Sequence, residues 1–460
     1  MSRAIRRATE TAVLCLVSVI VWRTWYLEGL PVPVQVDSGS MAETLLGPHR
    51  SIVCGDCGFR FACGCDRPTP DPRAVCPNCG YAGNDVRDWP ELPGDRVLVH
   101  RAMFQLRPPR RWEVVAFRTP GREGEVSTKR VVGLPGELVE IWDGDVYVNG
   151  AIVRKTLEQQ RATSILVHDA SHAPQLDPRP PNRWQPDAKD SRWSQAGGRF
   201  VHPGSPDRGA IDWLTYHHWR RVPGQPGRVQ PGPVLAETSY NQGRREPSGA
   251  VRPSADLRLS FRLSRISGGG SLWVRANDGR EEFAVRFDPA ARQIRVLHNG
   301  RPAGTADMGG ISSWAGAPRI DVSLIDQQFL VGWDGRTATV LPYQRGICDP
   351  AEFPFGVGCE RVEAELEDVC LFRDIYYGDF GGIGSTRRTG SGTVEGADEY
   401  YVLGDNSPIS EDSRTWPRDR ALSAACLVGK PFLAFPPVRW GQAGPWRFRI
   451  PDLSAIRYIR

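Results

Sequence analysis

The chain has 460 residues, of which 40% are hydrophobic and 24% are charged, and its formal net charge is +5. This length exceeds one typical domain, so roughly two to four compact units are expected. No dense basic stripe is interleaved with aromatic residues, which argues against a nucleic-acid-binding protein. The 39 prolines and 49 glycines favour β-structure and loops over long helices.

The first predicted element is an apolar N-terminal segment. Arginines precede the run from Ala12 to Trp22, and Arg23 interrupts this run before Trp25. The run is short against the ~20 residues of a bilayer span, but Arg23 can snorkel and tryptophan suits a membrane interface. We therefore expect a retained single-pass anchor in the cell membrane, with the following domain outside the cytoplasm. A cleavable signal peptide and a buried soluble helix are the alternatives, and the first is disfavoured because no small-x-small cleavage site follows.

The next stretch, Val36–Leu45, contains two candidate nucleophiles, Ser38 and Ser40. A serine hydroxyl reacts poorly until a base takes its proton. The best candidate base is Lys129, on the predicted strand from Ser127 to Val132. A free lysine has a pKa of ~10.4 and is charged at neutral pH, but burial among apolar side chains lowers that pKa.

A cluster of six cysteines lies between these two candidates, from Cys54 to Cys79. Two Cys-x-x-Cys turns, each followed by glycine, are typical of a zinc ribbon because each turn directs two thiolates at one metal. Four thiolates leave no open coordination position, so the zinc is expected to be structural. The predicted ligands are Cys54, Cys57, Cys76 and Cys79. Cys63 and Cys65 leave a second interpretation open, in which they replace one pair or the cluster forms disulfides.

The rest of the chain is predicted to be mainly β. Alternating strands and a hairpin through Asp143-Gly144 indicate a compact antiparallel unit between Gly94 and Val148. Residues 156–240 are rich in Pro, Trp, Asp and Arg and are expected to form an irregular insert and linker. Alternating strands between Leu257 and Phe372 predict a β-sandwich that resembles the concanavalin-like jelly rolls in strand pattern. For this sandwich a spacer or protein-contact role is favoured over polysaccharide binding.

Three short motifs follow one another along the chain. They are Ser38-Gly39-Ser40-Met41, the run from Lys129 to Gly136, and the run from Gly404 to Arg414. In this order, behind an apolar N-terminal segment, they resemble the boxes of type I signal peptidases, the membrane-anchored Ser/Lys proteases. Gly94-Asp95 and Val428-Gly429-Lys430 resemble two further boxes of that family. The matched stretches cover well under half of the chain.

The resemblance implies a role for each matching position. Ser40 would be the nucleophile and Lys129 its general base, a pair that follows the logic of the catalytic triad. The Ser38 hydroxyl and the Ser40 N–H would stabilise the oxyanion. The other supporting residues would be Ser410, beside the lysine amine, and the ion pair of Asp412 with Arg414.

The resemblance also implies an extended substrate that adds backbone hydrogen bonds beside two strands. The residues placed along this substrate are Val34, Val36, Asp37, Ser127 and Thr128. Two nearby positions depart from the family pattern, in which proline is usual at both: Asp37, before Ser38, and Glu43, after the nucleophile. Glu43 is expected to loosen the turn. The Asp37 carboxylate could deter acidic substrates or raise the pKa of the lysine.

The resemblance therefore implies an endopeptidase that removes N-terminal signal peptides from exported preproteins, contacts membrane lipid and needs no cofactor for catalysis. The expected segments are a membrane anchor (1–30), a first catalytic-core segment with the nucleophile (31–52), the zinc-ribbon-like insert (53–88), a second core segment with the base (89–155), the irregular insert (156–240), the sandwich insert (241–385), a linker with a third core segment (386–440) and a basic tail (441–460). The alternative is a degenerate peptidase scaffold whose sandwich binds polysaccharide or protein. A Ser/His triad is disfavoured because its candidate histidines lie in the irregular insert without an elbow motif; they are His168, His172, His217 and His218.

Overall fold

The computed structural model describes residues 3–22, 31–65, 72–119, 122, 124–204, 209–242, 251–307, 317–346, 349–378, 389–393, 398–416, 421–436, 439–443, 446–450 and 456–459. The α-helices of this described part are α1 (Arg3–Trp22), α2 (Met103–Leu106) and α3 (Leu157–Ala162).

The strands fall into three groups along the chain. The first group is β1 (Pro31–Gln35), β2 (His49–Val53), β3 (Arg60–Gly64), β4 (Arg73–Ala74), β5 (Asn84–Asp85), β6 (Glu91–Leu92), β7 (Arg96–His100), β8 (Val114–Arg118), β9 (Val126–Gly133), β10 (Leu138–Trp142), β11 (Asp145–Val148) and β12 (Ala151–Ile152). The second group is β13 (Ile165–Asp169), β14 (Trp184–Pro186), β15 (Ser194–Ala196), β16 (Arg199–Pro203), β17 (Asp212–Tyr216), β18 (Trp219–Arg221), β19 (Val229–Pro231), β20 (Leu257–Ser267), β21 (Ser271–Asn277), β22 (Glu282–Asp288), β23 (Gln293–His298), β24 (Arg301–Asp307), β25 (Arg319–Leu324), β26 (Gln328–Trp333), β27 (Arg336–Pro342), β28 (Phe355–Glu360) and β29 (Glu363–Arg373). The third group is β30 (Thr389–Thr393), β31 (Glu399–Leu403), β32 (Leu422–Ser423), β33 (Leu427–Phe435), β34 (Arg439–Ala443), β35 (Trp446–Ile450) and β36 (Arg457–Tyr458).

Helix α1 covers most of the segment predicted as a membrane anchor. Its side chains from Thr9 to Trp22 are exposed, and those from Val13 onward are mostly large and apolar. No helix among the residues that the structure describes is long and apolar enough to cross a bilayer. Residues 23–30, which complete the predicted anchor, lie outside the described residues.

One eight-stranded sheet brings the three sequence motifs together. Its strands follow the order β1, β7, β33, β8, β9, β31 and β32, and β36 pairs with β33. Side chains alternate between the two faces of the sheet along β7 and β8. On one face, Val97, Val99, Val114 and Ala116 pack with Met41. Because β9 pairs with both β8 and β31, the lysine motif lies beside the Gly404 motif, although more than 250 residues separate them along the chain.

The sandwich contains more of the chain than the sequence predicts. Its two sheets have the orders β15-β16-β29-β20-β25-β26-β27, with β13 on β29, and β14-β17-β28-β21-β22-β23-β24. The segment predicted as irregular, residues 156–240, therefore supplies β13 to β17 to the sandwich. This prediction was wrong because strands of three to five residues, interrupted by Pro and Gly, show too little alternation to recognise. Their side chains, such as Phe200 and Tyr216, join one continuous core with those of the longer strands.

Buried ion pairs connect the sandwich to the small sheet that contains β10, β11 and β12. The Lys155 amine lies 2.7 Å from an Asp326 carboxylate oxygen and 2.8 Å from one of Asp374. Three buried carboxylates, those of Asp145, Asp256 and Asp326, lie close enough together to hold a metal ion. Two of the three carboxylates already have cation partners, because Lys155 pairs with Asp326 and Arg345 pairs with Asp256. We therefore interpret this cluster as a structural ion network.

The C-terminal residues differ from the solvated basic tail that the sequence predicts. Strands β34 and β35 pair antiparallel, and β36 pairs with β33. The Arg457 guanidinium pairs with Asp95 and donates a hydrogen bond to the Glu43 backbone carbonyl at 3.2 Å. The end of the chain therefore packs against the turn that follows Ser40.

Candidate active site

The structure places the Ser40 hydroxyl and the Lys129 amine within hydrogen-bonding distance. Lys129 lies on β9 and its Nζ donates to Ser40 Oγ at 2.8 Å. Ser40 lies in the 3-10 turn Gly39–Met41, which follows the edge strand β1. The contact joins residues 89 positions apart, and its length is what direct proton transfer from a nucleophile to a base requires.

The surroundings of Lys129 favour the neutral amine. Lys129 pairs across the strands with the fully buried Val115 of β8, and Lys129 itself is only 5% exposed. Burial lowers the pKa of Lys129 to about 8, although the carboxylates of Asp412 and Asp405 act in the opposite direction. Roughly a tenth of the lysine is therefore neutral at pH 7, and the neutral amine is the form that can act as a general base.

The turn that carries Ser40 is fixed by the third motif. The Asn406 N–H donates to the Ser40 carbonyl at 3.0 Å, and the Asn406 side-chain amide donates to the Gly39 carbonyl at 2.9 Å. A Cβ at Gly404 would lie 2.5 Å from the Ser40 carbonyl oxygen and 2.1 Å from Ser410 Oγ. Only glycine allows the two turns to approach this closely. The Gly404-Asp405-Asn406 motif therefore holds the nucleophile in position.

A buried ion pair between Arg130 and Asp405 was missed in the sequence. The guanidinium donates two parallel hydrogen bonds to the carboxylate, at 2.8 and 2.6 Å, and neither side chain is more than 1% exposed. Thr44 also donates to this carboxylate, at 2.5 Å. The pair joins β9 directly to the Gly404 turn. Its two residues lie inside the second and third motifs, next to Lys129 and Gly404, and that adjacency was the available signal.

Two supporting residues behave as the resemblance implies and a third does not. Asp412 and Arg414 form an ion pair at 2.8 Å, and the Arg414 charge keeps the pKa of Asp412 lowered against the opposing effect of burial. Asp412 also accepts from the Gly404 N–H at 3.0 Å. The buried Ser410 hydroxyl acts instead on the Asp412 carboxylate, whose pKa it helps to lower, and it makes no hydrogen bond of good geometry within the described part of the chain. The expected contact from Ser410 to the lysine amine is therefore not formed, although Ser410 lies beside the Ser40 turn.

Ser38 lies on the same side of the turn as the nucleophile. Its Oγ is 3.2 Å from Ser40 Oγ, and Ser38 is exposed. A hydroxyl at this distance can reach an oxygen that develops on a carbonyl attacked by Ser40. The geometry is thus compatible with the supporting role that the resemblance implies.

Only some of the residues predicted to bind substrate face an open strand edge. The Val36 N–H donates to the Asp95 carbonyl on the β7 side at 2.9 Å. Backbone groups alternate in antiparallel pairs, so those of Val34 and Val36 face β7, and both side chains pack in the core. The outward groups of the β1 edge are instead those of Gln35 and Asp37, and Asp37 is exposed.

The same alternation distinguishes the two predicted residues of β9. Val131 donates to the Glu113 carbonyl, so the backbone groups of Ser127 also face β8 and those of Thr128 face away from it. Strand β31 pairs with β9 only from Arg130 onward, so the Thr128 edge is open among the described residues. Asp37 and Thr128 therefore remain candidates for substrate contact through the backbone, whereas Val34, Val36 and Ser127 do not.

The segment Thr238–Gln242, which precedes the strands predicted for the sandwich, reaches the nucleophile turn. Thr238 donates a short hydrogen bond to the Glu43 carboxylate, and Ser239 Oγ lies 3.5 Å from it. Glu43 was expected to loosen this turn, but these contacts and Arg457 fix it in place. Asn241 and Asn406 also bond through their side chains at 2.7 Å. No motif marks these residues, so only the folded structure identifies them.

The four predicted zinc ligands converge in the cysteine module. Their sulfurs all lie within 4.8 Å of one another, with Cys54 to Cys79 and Cys57 to Cys76 both at 3.7 Å. A tetrahedron with Zn–S bonds of ~2.3 Å has sulfur–sulfur edges of about 3.8 Å. The spacing thus fits a metal and is far too long for disulfides, and no described cysteine is in a disulfide. Gly58 and Gly80 follow the two turns with φ of 72° and 70°, which glycine adopts without strain.

Cys63 and Cys65, which left a second interpretation open, do not join this group. Cys63 is buried and its Sγ lies 3.6 Å from the Gln242 carbonyl. Burial raises the pKa of the Cys63 thiol to about 11, which makes thiolate formation unfavourable.

The comparisons with known proteins agree with this geometry. Residues 89–192 match the family model described as signal peptidase, peptidase S26. A probable signal peptidase I-2 of Synechocystis sp. is 36% identical over 64 residues, which are 13% of this chain and 29% of that protein. Signal peptidase I V of Bacillus subtilis is 37% identical over 57 residues, or 12% of this chain and 33% of that protein. The chain thus spans about a third of the length of the curated relatives it matches.

Solved structures share a weaker likeness. A carbohydrate-binding module, CBM66 of Bacillus subtilis, is 13% identical with a TM-score of 0.21, covering 35% of this chain and 94% of that one. The carbohydrate recognition domain of Emp47p is 13% identical with a TM-score of 0.26, covering 46% of this chain and 95% of that one. Likenesses at this level carry no argument about ligands. The family match and the sequence relatives show that part of this chain is similar to signal peptidases.

Proposed function

We propose that this protein is a membrane-attached serine endopeptidase that cleaves signal peptides from exported preproteins with a dyad of Ser40 and Lys129. The observation that carries the proposal is the 2.8 Å contact between the Ser40 hydroxyl and the Lys129 amine. The family match over residues 89–192 includes Lys129 and supports the same reaction class.

The proposed reaction begins with transfer of the Ser40 proton to the neutral Lys129 amine. The Ser40 oxygen then forms a bond to the carbonyl carbon of the scissile peptide, and the electron pair of that carbonyl moves to its oxygen. When this tetrahedral intermediate collapses, the peptide C–N bond breaks and the lysine ammonium returns the proton to the departing amine. Water, deprotonated by the same lysine, hydrolyses the acyl-enzyme ester and frees Ser40.

Electrostatic stabilisation of the developing oxyanion is assigned to the Ser38 hydroxyl and the Ser40 N–H. The hydroxyl has the proximity that this role needs, since its oxygen lies 3.2 Å from Ser40 Oγ. Asn406 holds the carbonyls of Gly39 and Ser40, so the donors are oriented before substrate binds. Preorganised donors of this kind usually make a large contribution to acyl-transfer catalysis.

The substrate is proposed to bind as an extended strand between two open edges. The outward backbone groups of Gln35, Asp37 and Thr128 would pair with it, in the manner of β-strand addition. Attachment through the exposed apolar side chains of α1 would hold the enzyme at the membrane where preproteins emerge, with its catalytic domain outside the cytoplasm. Retention of the full chain in membrane pellets after alkaline carbonate washing, and release of a chain starting at residue 31, would test this attachment.

The alternative of a degenerate scaffold is not favoured. A scaffold without catalysis has no use for a lysine that is 5% exposed, faces a serine hydroxyl and has no hydrogen-bonded carboxylate among the residues that the structure describes. Placing such an amine in the protein costs stability, because burial opposes its charge. Binding of polysaccharide or protein by the sandwich remains a separate proposal.

Processing of a preprotein by purified full-length protein tests the dyad. Ser40→Ala and Lys129→Ala are each expected to reduce the cleavage rate by roughly a thousandfold or more. Lys189→Ala, at an exposed lysine of the sandwich, is the matched control and should retain activity. Processing that survives either active-site change at a rate near that of the control would refute the proposal.

We further propose that Cys54, Cys57, Cys76 and Cys79 hold one structural zinc ion. When bound, the metal would cross-link the two turns of the cysteine module and would take no part in the peptidase reaction. The Asp56 N–H donates to Cys54 Sγ at 3.4 Å, a backbone contact of the kind that stabilises thiolates in such sites.

A further inference from the structure

A cavity of about 460 Å³ lies where the cysteine module meets the sandwich, and neither Ser40 nor Lys129 lines it. Its described lining residues include five arginines but a single carboxylate, that of Glu237. The five arginines are Arg73, Arg183, Arg220, Arg221 and Arg373. The wall of this cavity is therefore strongly basic.

Two of these arginines have carboxylate partners. Arg220 lies 3.1 Å from a Glu237 carboxylate oxygen, in a largely exposed pair. Arg221 pairs with the buried Asp56 carboxylate and donates to the Cys79 carbonyl at 2.8 Å. The only carboxylate in the described lining is thus already engaged by a cation at the rim.

Arg183 and Arg373 are buried in the same wall without a carboxylate partner among the described residues. They are 7% and 4% exposed. Arg373 donates to two backbone carbonyls, those of Asp374 at 2.9 Å and Glu237 at 2.7 Å. Arg183 donates to the His218 ring nitrogen at 3.2 Å, and burial keeps the pKa of that histidine at about 2, so the ring is neutral. The carboxylates of Glu237, Glu43 and Asp374 act on Arg373 through space. Among the described residues, however, no carboxylate is in ion-pair contact with either guanidinium.

Two hydrogen-bond donors in this wall also lack acceptors. Arg183 Nε and Trp219 Nε1 are both buried and have no hydrogen-bond partner among the described residues. The Arg183 guanidinium lies 4.0 Å from the centre of the Trp219 ring, a cation–π contact that reduces the cost of burial but supplies no counter-charge. Buried charges and buried donors are normally paired, because leaving them unpaired is costly.

We propose that this cavity binds a small organic anion, whose carboxylate or phosphate group pairs with Arg183 and Arg373. Guanidinium groups suit both kinds of oxyanion because they donate in a planar fork. Leu166, Val234 and Leu235 supply an apolar wall for the carbon skeleton. The volume lies in the range of about 300–1,000 Å³ that is usual for small-molecule sites. The inference does not depend on the peptidase activity.

Thermal unfolding of the purified full-length protein tests this site. Sodium phosphate, acetate and hexanoate would each be titrated against sodium chloride at equal ionic strength, since a ligand of the folded state raises the unfolding temperature saturably. We expect saturable stabilisation by phosphate or by the carboxylates. If the carboxylates bind, hexanoate should bind more tightly than acetate, by up to roughly fourfold for each methylene buried.

Variants separate this site from general salt effects. Arg183→Gln should weaken the apparent affinity at least tenfold, whereas Arg199→Gln, at an exposed arginine of the sandwich, should leave it unchanged. Leu235→Trp, which fills the cavity without altering its charge, should also abolish the stabilisation by anions. This variant replaces Arg183→Gln as the test if Arg183→Gln does not fold. Stabilisation by none of the three anions, or the same response in Arg183→Gln and Arg199→Gln, would overturn the proposal.

Discussion

Asn241 and Asn406 exchange side-chain hydrogen bonds, at 2.7 Å from Asn241 Nδ2 and at 2.8 Å from Asn406 Nδ2. Asn406 also donates to the Gly39 carbonyl, so its orientation determines the position of the turn that carries Ser40. Asn241 belongs to the 3-10 turn Ser239–Asn241, outside the three motifs. An inserted segment thus completes the support of the candidate nucleophile.

Asn241→Ala is expected to lower kcat for preprotein cleavage by roughly tenfold to a hundredfold with little change in KM. The substitution removes one partner of Asn406 and lets the Ser40 turn shift, and small displacements of reacting groups can cost this much. It also leaves a buried amide unsatisfied, which should lower the free energy of unfolding by about 1–3 kcal/mol. Steady-state kinetics and chemical denaturation measure the two effects.

Asn182→Ala, at an exposed asparagine of the sandwich, is the matched control for that change. It should alter neither quantity. If Asn241→Ala lowers stability but leaves kcat intact, the segment supports the fold without positioning the nucleophile.

The cleavage rate should rise with pH through about 8. Only the neutral Lys129 amine can act as a base, and with a pKa of about 8 roughly a tenth of it is neutral at pH 7. The profile of kcat/KM should therefore climb nearly tenfold per pH unit below pH 7 and level off above pH 8 to 9. A profile that is flat between pH 6 and pH 9 would exclude Lys129 as the titrating base.

The same pKa makes a prediction about stability. The folded protein releases the Lys129 proton near pH 8, whereas the unfolded chain holds it up to its ordinary pKa of 10.5. Between these values the unfolded state binds more protons, so the lysine's contribution to stability increases as pH rises. Lys129→Met should accordingly be more stable than the wild type by up to about 3 kcal/mol at pH 7, and this advantage should disappear by about pH 10.5. Denaturation curves of both proteins at each pH measure the difference.

Removal of metal should destabilise the cysteine module. Purified protein is expected to contain one zinc ion per chain. Cys76→Ser should lose this zinc and should be less stable by roughly several kcal/mol, because the free energy of metal binding contributes to folding. Cys426→Ser is the matched control, since that thiol is partly exposed and lies outside the cluster. Metal analysis and thermal unfolding measure the outcome. Protein without zinc whose clustered cysteines are linked in pairs by mass spectrometry would contradict it.

Arg130→Met should destabilise the fold by about 3–5 kcal/mol, because it leaves the Asp405 carboxylate buried without its cation. The double variant Arg130→Met/Asp405→Leu should lose less than the two single variants combined, which a double-mutant cycle measures. Arg122→Met, which breaks an exposed pair with Glu411, is the control and should cost no more than about 1 kcal/mol. Additive losses in the cycle would show that the two groups do not interact.

Short sequence patterns were enough to predict much of the candidate site. The two Cys-x-x-Cys turns identified the four cysteines that converge, because a turn of that length brings its own thiols together whatever surrounds it. Ser40, Lys129 and the Asp412–Arg414 pair were recognisable because their motifs keep a fixed order. The short strands β13 to β17 were missed, since pairing with the long strand β29 and its sheet, rather than intrinsic propensity, makes them strands.

The sequence by itself determined which residue types could form a dyad and a metal site, since hydroxyl, amine and thiol chemistry depends on the side chain and its nearest neighbours. Only the tertiary structure decided which strand edges are open, that Glu43 is fixed by Thr238, that Ser410 forms no hydrogen bond with Lys129, and that Asn241 reaches Asn406. These features depend on contacts between residues far apart in the chain. They follow from the packing of whole sheets, which no local pattern of residues encodes.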